Sequence, residues 1–182
     1  MSLPHPQDDR AVHYGRVARI LHWLIAALVV AQFAIGWLMP DVHRGPPGTP
    51  MVLHISLGVT ALALMAFRLA WRIAHPVGAY PSLPPWQRMT SHAAHGLLYL
   101  LVFATTLSGW LFTSFRGWSV RYFELAPLPM LWGKDNDAIR LFNGWHQIFV
   151  WCLLGLVVVH FLAALVHAVV YRDGVLQRML RD

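Results

Sequence analysis

Eleven histidines stand in a chain of 182 residues that is 57% apolar and carries Asp, Glu, Lys or Arg at only 12% of its positions. In such surroundings an imidazole is a ligand for zinc, copper or iron, a proton relay, or a packed side chain bonded to a carbonyl. His5, His13, His43 and His75 fall among polar residues and read as solvated surface groups. His22, His54, His92, His95, His146, His160 and His167 lie in or beside long apolar runs, where ionisable groups are costly and usually face a bundle interior. His146 and His160 are nearly four helical turns apart, so they project on one face, about 21 Å from each other along the axis. Asp, Glu and Cys are missing at the depths that would complete a tetrahedral zinc site beside them, which makes paired axial ligation of haem iron the better fit. The single cysteine, Cys152, excludes a disulfide framework and a CxxCH attachment site for covalent haem. It reads as a small core residue.

The elements that must position these rings are four apolar segments, about 18–39, 51–71, 93–115 and 148–171. Each has roughly the 20 residues needed to cross a hydrocarbon core of about 30 Å. Arg19, at the very start of the first, and Arg68, in the last turn of the second, are the fully charged residues within them, both at ends where they can snorkel to the interface. Lipid demands that backbone groups be bonded within the segment, so the expected fold is all-α: one integral-membrane four-helix bundle, a single domain over residues 1–182. The first segment lacks a small-residue cleavage site after it and reads as a retained helix. A net charge of +6 raises nucleic acid as a partner. However, 13 of the 14 basic residues are arginines clustered at the ends of apolar stretches, a membrane pattern. Nothing resembles a phosphate-binding loop, an internal repeat or a low-complexity tract.

The loops set the orientation. Arg10, Arg16, Arg19, Arg68, Arg72, Arg88, Arg172, Arg178 and Arg181 fall on one side, and Arg44, Arg116, Arg121, Lys134 and Arg140 on the other. The positive-inside rule then places both termini in the cytoplasm. Under that topology His54 and His146 share a depth near the outer surface, and His22 and His160 a depth nearer the cytoplasm. His167, two turns past His160 on about the same face, matches the depth of His22 at least as well. A His146–His167 arrangement would, however, set two irons about 31 Å apart, which disfavours electron transfer between them. His92 and His95 are further rivals for His22. Gly58, one turn from His54, would let a flat macrocycle approach the backbone; Gly36, Gly109 and Gly155 allow the same, although small residues also serve plain helix packing.

Taken together, Arg16-x-x-Arg19-x-x-His22-Trp23, His54-x-Ser56-x-Gly58, Arg68-x-x-x-Arg72, His92-x-x-His95 and Trp145-His146 … His160 … His167 resemble the bacterial cytochrome b561 family, from about Val12 to Leu180. The resemblance implies a bacterial inner-membrane electron-transport protein with two b haems. It implies His22 and His160 as axial ligands of the cytoplasmic-side haem, and His54 and His146 of the periplasmic-side haem. It also implies an oxidoreductase activity, passing electrons from periplasmic superoxide to ubiquinone. Arg116, Arg121, Lys134 and Arg140 on the outer loop would steer a small anion, although Glu124, Asp135 and Asp137 offset their charge. A quinone would need an apolar slot with a hydrogen-bond donor; His167 with Arg16 or Arg72 is the first candidate, and His95 the second. Two other readings compete. One is a haem-bearing carrier between the quinone pool and a separate redox protein. The other is a small transporter with a histidine proton relay, which the lack of intramembrane Asp or Glu disfavours.

Overall fold

The computed structural model describes residues 14–39, 47–76 and 84–180. His5, His13, His43, Arg10, Arg44 and Arg181 lie outside the described residues. Four long helices carry the chain: α1 (Arg16–Leu38), α2 (Thr49–Ala74), α3 (Pro85–Phe115) and α4 (Asn136–Val166). All four are long and apolar enough to cross a membrane. α3 and α4 start well before their apolar cores. α3 opens with proline in its first turn, where the missing N–H is an orphan in any helix. α4 is capped by Asp135, whose carboxylate accepts from the N–H groups of Asp137 at 3.0 Å and Ala138 at 3.1 Å. The connection between α3 and α4 runs from Arg116 to Asp135. It holds a two-stranded antiparallel hairpin, β1 (Arg121–Tyr122) with β2 (Ala126–Pro127). Past α4 the helix loosens into a π-helical turn, His167–Tyr171, and a last short helix, α5 (Gln177–Leu180), follows.

Helix α1 runs against α2, as Arg68 donating to the Ala18 carbonyl at 2.7 Å and Gln32 donating to that of His54 at 2.9 Å require. The close seams are α3 with α4, α1 with α2, and α2 with α3. Ile25, Met65, Val102 and Leu153, one from each long helix, meet in the buried centre. Most other apolar side chains point outward: Val30 is 65% exposed and Val159 60%. An outward apolar surface on helices of this length is what lipid requires. Cys152 faces outward too, which corrects its reading as a core residue. A second cluster, Ile55, Trp118 and Val120, seats the hairpin on α2. The bundle thus has a hairpin end and a tail end, the latter holding the start of α1 and all of α5.

Candidate functional site

Both expected histidine pairs form. The ring centres of His54 and His146 are 6.4 Å apart at the hairpin end, with planes at 86°. Those of His22 and His160 are 6.3 Å apart towards the tail end, with planes at 75°. The first pair joins α2 to α4 and the second α1 to α4, and neither combination is a close seam of the bundle. A metal ion bonded by one nitrogen of each of two facing imidazoles would lie about 2 Å from each nitrogen and about 3 Å from each ring centre, so the centres would stand about 6 Å apart. Both pairs meet that spacing.

Local sequence explains how the rings are seated. Thr105, one turn before Gly109 on α3, offers its carbonyl to His146 Nδ1 at 2.9 Å, with the Ser108 hydroxyl 3.4 Å from the same nitrogen. A carbonyl only accepts, so Nδ1 carries the proton and Nε2 keeps the lone pair that a metal needs. A Cβ on Gly109 would lie 3.0 Å from His146 Cε1 and 3.1 Å from Nδ1. A side chain there would press on the ring, which lies against the α3 backbone and would have to give by a few tenths of an ångström. At Gly36 the fit is looser: a Cβ there would meet His54 Cε1 at 3.8 Å, an ordinary van der Waals contact. Gly58 has a different neighbour: a Cβ there would meet Gln32 Nε2 at 2.9 Å.

The tail-end pair has a third member. The ring of His95, on α3, stands 5.5 Å from that of His160, and the Ser91 hydroxyl is 3.4 Å from its Nδ1. His92, three residues earlier, is exposed. His167 lies in the π-helical turn, where Nδ1 bonds the Asp173 carboxylate and the ring touches Tyr171. The remaining quinone candidates separate in space. Arg16 lines an open groove of about 490 Å3 with Arg19, Ile20, Trp23, Leu24, Met179 and Leu180. Arg72 borders a cleft of only about 20 Å3, beside Arg68, Trp71 and Tyr99. At the hairpin end, Arg116 lies over the Trp118 ring at 4.3 Å. Arg121 is spent within the hairpin, donating to the carbonyls of Glu124 and Leu125. Lys134 and Arg140 are exposed, and the Lys134 chain passes 3.6 Å from where a Gly117 Cβ would be.

Residue type alone did not single out Gln32, Thr105 or Ser108. Gln32 carried a signal nonetheless, since an amide in the middle of an apolar helix must find polar partners. Thr105 acts through its backbone, which any residue supplies.

A multi-pass helical membrane protein with two facing imidazole pairs in its bundle is the class that fold and site define. The model of prokaryotic cytochrome b561 matches residues 13–182, and the chain belongs to that family. It is 31% identical to cytochrome b561 homolog 2 of Escherichia coli (strain K12), over 92% of this chain and 90% of that one. It is 27% identical to a Yersinia pestis protein named "Probable superoxide oxidase CybB", over 88% and 91%. With cytochrome b562 of Cereibacter sphaeroides it shares 26%, over 92% and 95%. The protein is therefore a bacterial multi-pass membrane cytochrome of the electron-carrying kind, and its family implies b-type haem.

Proposed function

We propose that this cytochrome holds two b haems, one between His54 and His146 and one between His22 and His160, and passes electrons from periplasmic superoxide to ubiquinone in the inner membrane. The carrying observation is the pair of ring spacings, 6.4 and 6.3 Å, each matched to one metal between two imidazoles. Ligand residues 14 positions apart on α4 separate the two sites by about 21 Å along its axis, so each half of the bilayer has its own centre. Held by His54 with His146 and by His22 with His160, haem would supply one-electron chemistry.

The chain's own residues do the rest. His146 is fixed as the Nε2 donor by Thr105. Gly109 lets the His146 ring lie close to the α3 backbone, and Gly58 keeps the neighbouring turn of α2 slim. Positive charge at Arg116, Arg121, Lys134 and Arg140 raises the local concentration of a small anion at the hairpin end, which the excess of basic residues at the tail end makes the periplasmic one. The quinone candidates, in the order the geometry supports, are Arg16 on the 490 Å3 groove beside Trp23, His167 with its Asp173 partner, then His95 and Arg72. Trp23 stands 5.2 Å from His22, so a quinone in the groove is one side chain from the tail-end pair.

The experiment is haem content by pyridine haemochrome, followed by rapid mixing of the oxidised protein with superoxide in the presence of ubiquinone. Two haems per chain and haem reduction that slows with added salt are expected. A second reading, a carrier between quinone and a separate redox protein, draws support from the exposed Leu125 and Trp132 on the hairpin-end loop, a surface suited to a protein partner. It predicts the same haems with no superoxide reaction.

A further inference from the structure

The two rings of the hairpin-end pair are held unequally. His146 Nδ1 has the Thr105 carbonyl. His54 Nδ1 is buried and has no hydrogen-bond partner among the described residues. Across the α1–α2 seam, Gln32 reaches the same residue: its Nε2 donates to the His54 carbonyl at 2.9 Å. Its Oε1 is also buried and also lacks a partner among the described residues. The approach is close enough that Gly58 alone accommodates it, since a Cβ there would lie 2.9 Å from the Gln32 nitrogen. A primary amide within a membrane-spanning helix is costly unless both of its ends are bonded. One end is bonded to His54, and the other is an acceptor on the same amide, beside a residue that needs one.

We propose that Gln32 is the positioning residue for His54, its Nε2 fixing the backbone of the ligand-bearing turn and its Oε1 accepting the His54 Nδ1–H when Nε2 binds iron. The inference rests on the haem-ligand reading above. A neutral imidazole that binds metal through Nε2 must carry its proton on Nδ1, and the acceptor of that proton sets both the ring's orientation and its basicity. A better acceptor makes the ring a stronger donor and favours the oxidised iron. On His146 this acceptor is backbone, which substitution barely alters. On His54 it is a side chain, so Gln32 is the place where the potential of this haem is adjusted independently of the other. Gly58 belongs to the same device, because its missing side chain is the space the amide uses.

The test is a redox titration of the purified holoprotein, wild type, Gln32→Leu and Gly58→Ala, with low-spin EPR and a haem count on each. Gln32→Leu is expected to keep two haems and raise the potential of the hairpin-end haem alone. The reduced-to-oxidised ratio at fixed poise should rise roughly fivefold, about 40 mV for a one-electron couple. The EPR signal of that haem should move as the His54 ring turns. Gly58→Ala displaces the flexible end of Gln32 and should shift the same haem in the same direction by less. Two retained haems with unchanged potential and EPR in both variants overturn the proposal, as does an equal shift of both haems or loss of both. If Gln32→Leu loses only the hairpin-end haem, Gly58→Ala decides by whether that haem's potential rises. Fewer than two haems in the wild type defeats the ligand reading itself, a result the haem count reports separately.

Discussion

The hairpin-end pair and the tail-end cluster use the same imidazole chemistry under opposite kinds of restraint. His54 and His146 are bound from within the bundle, by Thr105, Gln32 and the close backbone at Gly109. The turn of α2 that follows His54 is pinned from outside as well. The Ser56 hydroxyl, fully buried, accepts the Phe123 N–H at 2.9 Å, and Thr60 meets the Tyr122 hydroxyl at 2.9 Å. At the tail end, His160 faces two rings, His22 and His95. The surrounding restraint there comes from a tail folded back on α1, where Trp23 donates to the Met179 carbonyl at 2.9 Å. The hairpin-end site is closed in by packing and by the bond that holds the His146 ring. The other is bordered by an open groove beside Trp23, where the proposed quinone would dock.

The largest test of this contrast is removal of a ligand. His54→Ala and His146→Ala should each reduce haem content from two to one per chain and abolish the hairpin-end signal, leaving the tail-end haem in place. At the tail end the comparison sharpens, because two rings compete for His160. His22→Ala should lose the tail-end haem, whereas His95→Ala should retain two haems with a displaced tail-end EPR signal. Two haems in His22→Ala, with one in His95→Ala, would transfer the ligand role to α3.

The next effect in size is steric. Gly109→Ala puts a methyl group 3.0 Å from a ring whose Nδ1 is bonded to Thr105, so the ring must shift against that bond. Overpacking of this kind costs about 1–3 kcal/mol, and here the cost falls on the hairpin-end pair. The expected result is partial loss of that haem and a lowered thermal midpoint for its release, with the tail-end haem unaffected. Gly155→Ala is the control, since a Cβ there meets nothing within 4 Å.

Much of this arrangement was legible in the sequence, and the illegible parts have definite physical causes. Long apolar runs report the lipid, so four helices follow from hydropathy. Such runs stop at the edge of the hydrocarbon, whereas helical hydrogen bonding does not. That is why α3 begins at Pro85 and α4 at Asn136, ahead of their apolar segments. Asp135 was a readable cap signal for α4. Depth pairs His54 with His146, because rings that meet in an antiparallel bundle must share a level. For His22 it leaves His160, His167, His92 and His95 open, and the family resemblance singles out His160. Depth says nothing of azimuth, so the closeness of His95 to His160 needed coordinates. The hairpin gives almost no sequence signal: its positive-φ positions are Phe123 and Glu124, in place of the glycine or asparagine that usually marks such turns. It is held there by tertiary bonds to α2.

Ser56→Ala tests that hold. It removes the acceptor of the Phe123 N–H from a buried position, at a cost of about 1–3 kcal/mol for an unsatisfied amide. Faster amide exchange at Phe123 and faster tryptic cleavage after Arg121 are expected, with both haems retained. Unchanged exchange at Phe123 would show that the apolar cluster of Ile55, Trp118 and Val120 suffices to seat the hairpin.

The smallest effect belongs to the tail. Trp23→Phe deletes the indole N–H that bonds Met179 but keeps an aromatic face beside His22. An exposed hydrogen bond of this kind contributes about 0.5–1.5 kcal/mol, enough to loosen α5 without unfolding the bundle. Trp23 and Met179 both line the groove with Arg16, so loosening α5 changes the groove and leaves the iron ligands alone. If the groove takes the quinone head, KM for ubiquinone should rise roughly two- to fivefold, a change commensurate with that one bond, while haem content and both potentials stay at wild-type values. An unchanged KM would move the quinone towards His167 and Asp173. There, His167→Gln should then give the larger effect, and the contrast between the two ends would rest on the third ring, His95, in place of the folded-back tail.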